Sequence, residues 1–217
     1  TNIPLVTEAS KIGVPMIIST GMCFRKEINK TFQIAKKYNR AGIALLKCTS
    51  LYPAPDNTIN LLAIKNFINT FKIPIGYSDH TKDNLASLLA VSLGAKIIEK
   101  HFTLNKKQQG VDHKFSSEPK EIKMLISDIR RIEVLMGSSL IKPHNKEIPK
   151  RNKYFRSILA MKNIVKHEKL TISNVALKRS LNYQTSLGPK YFHQILGRRA
   201  KRNIQIDEKI LFSKLEK

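Results

Sequence analysis

Residues 73–81 read IPIGYSDHT, an apolar run that ends in serine, aspartate, histidine and threonine. A leucine-rich helix pattern follows, and the same order of strand, polar ending and helix occurs four times in the first 137 residues. The predicted strands are 14–18, 42–46, 73–76 and 95–98, and the predicted helices are 25–38, 60–70, 84–93 and 119–136. Apolar strands that alternate with amphipathic helices indicate the α/β class, with a parallel sheet covered by helices.

All four predicted strands end in polar or ionisable groups. The endings read STG, KCTS, SDHT and EKHFT in chain order. Parallel α/β folds gather their sites at the carboxyl ends of the strands. Four such endings in one sheet therefore predict a single shared site.

Two histidines end neighbouring strands of this predicted sheet. His80 follows the third strand and His101 the fourth, and adjacent strands lie about 4.8 Å apart. Two imidazoles with open positions for water or substrate suit a catalytic divalent metal such as Mn²⁺. The residues alone leave open the alternative that each histidine only packs or hydrogen-bonds locally.

Four other side chains at the strand ends are candidates for binding a polar substrate. Ser19 and Ser78, with neighbouring backbone N–H groups, can cradle a phosphate, or they only cap turns. Tyr52 can stack on a substrate, or it only packs its loop. Asp112 can bind sugar hydroxyls, or it forms an Asx-turn.

The charge of the chain is strongly positive: 39 basic and 16 acidic residues give a net charge of +23. Such an excess can mark a nucleic-acid partner. Here the lysines are spread along the whole chain, and no basic motif interleaved with aromatic residues is present. We therefore expect no nucleic-acid partner, and an anionic small substrate would benefit from the same field.

The apolar runs and the cysteines indicate the cellular compartment of the protein. No apolar run reaches the 18 or so residues that cross a membrane, so we expect no membrane partner. Two widely spaced cysteines, Cys23 and Cys48, do not make a disulfide framework. Both features favour a cytoplasmic protein.

The last third of the chain has a different character and contains an internal repeat. Residues 160–175 align without gaps on residues 200–215, with identical residues at six positions that include Ala160/Ala200, Ile164/Ile204 and Glu168/Glu208. Two copies are too few for a solenoid, which needs about three. We predict a small β-rich domain with pseudo-two-fold symmetry after a polar linker.

Taken in order, these segments closely resemble the sialic acid synthase family, whose members include N-acetylneuraminate, legionaminate and pseudaminate synthases. The resemblance rests on PMIISTGM, LLKCTSLYP, IPIGYSDHT, AKIIEKHFTL, GVDHKFSSEP and RSILAMKNIVKHEKLT with LGRRAKRNI, and it covers essentially the whole chain. It implies strands five to eight of a (β/α)₈ TIM barrel over residues 1–140, a linker at 141–152 and an SAF (antifreeze-like) domain at 153–217. The first four barrel strands and their catalytic groups would then be absent, and we expect this chain to be inactive alone.

The resemblance also implies a reaction, the condensation of phosphoenolpyruvate with an N-acyl-mannosamine-type sugar to a nine-carbon 2-keto sugar acid and phosphate. His80 and His101 resemble the metal ligands, Ser19 and Ser78 the phosphate contacts, and Tyr52 and Asp112 the groups that hold the sugar. Arg179 resembles the arginine that the SAF domain inserts into the partner barrel of a domain-swapped homodimer. The turn after it, SLNYQTSLGP, departs from the family pattern, and the motifs do not select one sugar. The alternative is a non-catalytic half-barrel scaffold or binding protein.

Overall fold

The computed structural model describes residues 1–180 and 183–216 and divides the chain into two compact units, Thr1–Ser138 and Ser139–Lys217. The strands of the first unit are β1 (Met16–Ser19), β2 (Ile43–Cys48), β3 (Ile75–Asp79) and β4 (Ile97–Lys100). Its helices are α1 (Ile3–Lys11), α2 (Arg25–Tyr38), α3 (Ala63–Phe71), α4 (Leu85–Ser92) and α5 (Pro119–Met136). The strands form one parallel sheet in the order β1-β2-β3-β4, which confirms the predicted α/β architecture.

The core of the first unit lies between the sheet and its helices. Leu45 of β2 and Ile75 and Tyr77 of β3 are nearly or fully buried there, against Ile64 of α3 and Ala90 of α4. Since side chains alternate along a strand, Leu46, Gly76 and Ser78 face the opposite side. This second side, which we call the lumen face, carries the polar strand endings.

The strands extend further towards their polar ends than the sequence predicts. β3 includes Ser78 and Asp79, which the hydrophobic pattern places after the strand. The physical reason lies in the next strand, because Ser78 pairs with Glu99 and Asp79 with Lys100 in the parallel register. Polar side chains with partners across the ladder are stable inside a strand. Helix α5 begins at Pro119 and ends at Met136, as predicted.

The second unit is built around the predicted repeat. Its elements are α6 (Ile148–Tyr154), the antiparallel pair β5 (Arg156–Ala160) and β6 (Val175–Arg179), and α7 (Phe192–Ile195). The two copies exchange equivalent backbone hydrogen bonds: Ile164 N–H donates to Ile204 O at 2.9 Å and Ile204 N–H to Ile164 O at 2.8 Å. Ala160 N–H likewise donates to Glu208 O, and Ala200 N–H to Glu168 O. The predicted pseudo-two-fold symmetry is therefore present, while α6 is a helix that the predicted linker overlaps.

Candidate functional site

The carboxyl ends of β3 and β4 bring two imidazole rings together. Ser78 pairs with Glu99, so two residues further along the same register His80 comes opposite His101. The two ring centroids are 5.2 Å apart, with an angle of 65° between the planes. The structure thus brings the two predicted metal-ligand candidates to one place at the end of the sheet.

His80 is buried and its ring is fixed by a backbone carbonyl. Its side-chain Nδ1 lies 2.8 Å from Thr49 O. A carbonyl oxygen only accepts hydrogen bonds, so Nδ1 carries the proton and Nε2 keeps its lone pair. A hydrogen bond of this kind sets the tautomer and orientation of a metal-binding histidine. The lone pair of Nε2 is the donor that a metal needs.

His101 is more open than His80, with 29% of its side chain exposed. Its Nδ1 lies 3.8 Å from Asp112 Oδ2, beyond direct hydrogen-bond distance but within reach of one bridging water. The predicted sugar-binding candidate Asp112 therefore lies beside the histidine pair.

Two aromatic rings flank the histidines. The Tyr52 ring centroid is 4.2 Å from that of His80 and 5.6 Å from that of His101. The Phe115 ring contacts Tyr52 and His101 at centroid distances of 5.8 and 5.2 Å. Ala54 N–H donates to His80 O at 2.9 Å and ties the Tyr52 loop to β3. Tyr52, another predicted site residue, is thus held against both imidazoles, and Phe115 is a neighbour that the sequence reasoning missed.

The two predicted phosphate-binding serines lie in different surroundings. Ser78 is buried, and its hydroxyl donates to Glu99 Oε1 at 2.6 Å, so this hydrogen is already in use. Ser19 is exposed at the end of β1, two strands away from β3. The structure therefore does not bring the two serines together in one contact. Glu99 went unassigned in the sequence, although its spacing of two residues from His101 places both side chains on the lumen face.

A buried ion pair supports the loop that carries His80. Asp79 accepts hydrogen bonds from Lys100 Nζ at 2.9 Å, from Ser87 Oγ at 2.5 Å and from the backbone N–H of Thr81 at 2.8 Å. Lys100 Nζ also donates to the carbonyl oxygens of Thr81 and Asp83. The pair is almost fully buried, and it joins β3, β4 and α4 directly behind the histidines. In the sequence, the ion pair is indicated by the one acidic residue of SDHT and the lysine of EKHFT, at the ends of neighbouring strands.

Arg179 belongs to the second unit and ends β6. Its guanidinium lies over the Tyr154 ring, 5.4 Å from the centroid, and its side chain is exposed. Residues 181 and 182 of the unusual turn lie outside the described part of the chain.

The donor set around the histidines fits a catalytic metal with few protein ligands. Two imidazoles that each bond one cation at about 2.1 Å have their rings about as far apart as those of His80 and His101. Among residues 1–180 and 183–216, no group of three or more His, Cys, Asp or Glu side chains forms a complete metal cage. Nor does any helix of those residues have the length and apolar character of a membrane span.

Helices on one face of a four-stranded parallel sheet and ionisable groups at its carboxyl ends define half of a (β/α)₈ barrel. Residues 1–140 match the model of the NeuB family, and the chain belongs to that family.

Known relatives and one solved structure agree with this assignment. The N,N'-diacetyllegionaminic acid synthase of Campylobacter jejuni is 40% identical over 212 residues, which cover 97% of this chain and 63% of the relative. The pseudaminic acid synthase of Helicobacter pylori is 31% identical over 216 residues, 100% of this chain and 63% of that protein. The crystal structure of N-acetylneuraminic acid synthetase from Leptospira borgpetersenii, in complex with citrate, superposes with a TM-score of 0.65 at 38% identity and covers 70% of this chain and 54% of that structure. The chain thus spans less than two thirds of the length of these proteins.

Proposed function

We propose that the chain supplies the metal-binding half of a nonulosonate synthase. The reaction condenses phosphoenolpyruvate with an N-acyl-mannosamine-type sugar and gives a nine-carbon 2-keto sugar acid and phosphate. The observation that carries the proposal is the His80–His101 pair, oriented by Thr49 and flanked by Tyr52 at the carboxyl end of a NeuB-family half-barrel. The named activities of the relatives support the same class of product.

The bonds that change account for every atom of the products. The enol carbon of phosphoenolpyruvate bonds to the aldehyde carbon of the open-chain sugar. The hydroxide of a water molecule adds at C2, and the proton of that water goes to the former aldehyde oxygen, which becomes a hydroxyl. The tetrahedral carbon then loses phosphate and becomes the 2-keto group. A divalent metal held by His80 and His101, for which we propose Mn²⁺, would polarise the aldehyde carbonyl as a Lewis acid.

The side chains of this chain bind and orient the substrates. Tyr52 packs beside the metal ligands and excludes water from one side of the sugar. Asp112 lies next to His101, where it accepts hydrogen bonds from sugar hydroxyls. We assign the phosphate to Ser19 and, through rotation of its hydroxyl away from Glu99, to Ser78.

The second unit completes the proposed enzyme. We propose that residues 153–217 are an SAF domain that covers the barrel of the partner in a homodimer, where Arg179 binds the sugar. Its two-fold exchange of hydrogen bonds supports a compact, self-contained domain. The two free cysteines, Cys23 and Cys48, fit our placement of the reaction in the cytoplasm.

The decisive experiment completes the barrel. The N-terminal part of the Campylobacter relative is fused before residue 1. Phosphate release is then measured with phosphoenolpyruvate and N-acetylmannosamine or its 2,4-diacetamido analogue. We expect turnover that needs Mn²⁺ and is lost in His80→Ala and His101→Ala. Absence of turnover with every acylamino sugar would overturn the proposal. If the histidines still bind Mn²⁺ in that case, the half-barrel is a binding scaffold.

A further inference from the structure

Lys47 is a buried cation on the helix side of β2. It lies on the same side of the strand as Ile43 and Leu45, which pack into the core, and only 7% of it is exposed. Its ammonium donates to Thr49 Oγ1 at 2.7 Å. Within the described residues no carboxylate pairs with it, and the ring centroid of its strand neighbour Tyr77 lies 5.9 Å from the ammonium.

A second buried lysine shows what Lys47 lacks. Lys100 lies 2.9 Å from Asp79 Oδ2, so its charge is balanced inside the protein. An isolated buried ammonium is expensive, and proteins pair such charges or shift their pKa. Burial lowers the pKa of Lys47, in keeping with a charge that has no anion beside it.

Lys47 lines a cavity of about 350 Å³ between α2 and α3. One part of the lining is polar, with Arg25 and Asn66, and another part is apolar, with Phe67 and Phe71. This volume is at the lower end of the range for small-molecule sites. The described lining contains two cations and no carboxylate.

We propose that this cavity binds a small organic carboxylate with an apolar body. The carboxylate pairs with the Lys47 ammonium, and Arg25 adds a second positive charge. The apolar body packs on the rings of Phe67 and Phe71. The proposal does not depend on the proposed synthase activity, because ligand binding is measured here without turnover. The cavity adjoins the histidine site through Cys48, whose Sγ lies 3.9 Å from His80 Nδ1.

The test is a calorimetric titration of the 217-residue chain with benzoate, carried out at 150 and at 500 mM NaCl. We expect saturable binding to one site that weakens at least tenfold in Lys47→Met and stays unchanged in Lys65→Met, an exposed lysine on the adjacent helix. Lys47→Met should fold, since it removes a buried charge and keeps the apolar stem. Ala63→Leu, which fills the cavity but keeps the lysine, should also abolish binding.

Neutral benzamide and inorganic phosphate separate the two parts of the proposal. We expect neither to compete with benzoate at equal concentration. Equal binding of benzoate to wild type and Lys47→Met, or no saturable binding to wild type, would overturn the site. Binding of phosphate in preference to benzoate would overturn the apolar body of the ligand.

Discussion

Asp79 and Lys100 form a buried ion pair whose partners depend on each other. Removing one partner leaves an uncompensated buried charge, which costs about 3–5 kcal/mol. We therefore expect Asp79→Asn and Lys100→Met each to lower the free energy of unfolding by about that amount, measured by urea denaturation. The matched control is Lys106→Met: Lys106 pairs with Glu121 in a partly exposed position, and its loss should cost about 0–1 kcal/mol. Equal losses in the two pairs would show that burial does not set the cost.

Glu99 is a carboxylate that shares the lumen face with His101 and accepts a hydrogen bond from Ser78. A carboxylate placed there can hold or move a proton of a bound substrate, and such groups contribute about 10²–10⁴-fold to rate. In the completed barrel we expect Glu99→Gln to lower kcat by about 100-fold without changing Mn²⁺ affinity. Glu133→Gln, on the exposed part of α5, should keep full activity. A loss of Mn²⁺ affinity in Glu99→Gln would place this carboxylate among the metal ligands instead.

At the scale of elements, the sequence predicts the sheet better than the site. Short apolar runs mark β1 to β4 because each strand packs apolar side chains against the core on its helix side. A 16-residue segment that recurs at a spacing of 40 residues marks the symmetric second unit. The convergence of His80 and His101 follows from strand order alone. The Asp79–Lys100 pair follows from the same register, one residue earlier. The contact of the Thr49 carbonyl with His80 does not follow, because it depends on the path of the loop after β2.

Gly76 lets β2, β3 and β4 approach closely on the lumen face. A Cβ at this position would lie less than 3.0 Å from Leu46 Cδ2 and from the backbone oxygen of Ile97. Overpacking of this kind costs about 1–3 kcal/mol. We expect Gly76→Ala to lower the free energy of unfolding by at least that much in urea titrations, and to weaken the proposed Mn²⁺ binding because His80 directly follows the end of β3. Unchanged stability would mean that β3 can shift without cost.

The two repeats of the second unit differ in how they hold equivalent glutamates. Burial would raise the pKa of Glu208, but hydrogen bonds from Lys214, from the Gln205 N–H and from Arg202 outweigh it and hold the pKa at about 2. The equivalent Glu168 bonds to the neutral Asn174, and its pKa is also lowered, chiefly by the Val165 N–H.

A carboxylate whose pKa is lowered by folding stabilises the fold at pH values above 4.5, which is its pKa in the unfolded chain. This contribution disappears as the pH falls from 4.5 towards 2. Glu208→Gln should therefore remove about 1 kcal/mol of the difference in unfolding free energy between pH 6 and pH 3, a small value because solvent screens the site. Glu168→Gln should remove less. Urea titrations at the two pH values measure both, and a larger effect of Glu168→Gln would contradict the role of Lys214.

At the scale of the whole molecule, the first unit is a sheet with two open edges. β1 and β4 each have one neighbour among the described strands, and Ile17 and Phe102 near these edges are more than half exposed. A cavity of about 830 Å³, lined mainly by apolar side chains, lies between α4, α5 and β4. Edge strands with exposed apolar residues nearby favour association with other chains. In the second unit, by contrast, Ile164 and Ile204 are buried at the two-fold centre.

We therefore expect residues 139–217, expressed alone, to fold as a monomer with one cooperative thermal transition, and residues 1–138 to self-associate. Light scattering and calorimetry measure the two properties. Ile164→Ala and Ile204→Ala should each lower the free energy of unfolding of the smaller unit by about 2–5 kcal/mol. The two losses should be similar, because the two side chains occupy equivalent positions in the same core. Fusion to the N-terminal part of the Campylobacter relative, as in the proposed completed barrel, should abolish the association of residues 1–138, since paired strands no longer offer free edges. Association that persists with the segment bound would mean that the apolar surface serves a different partner.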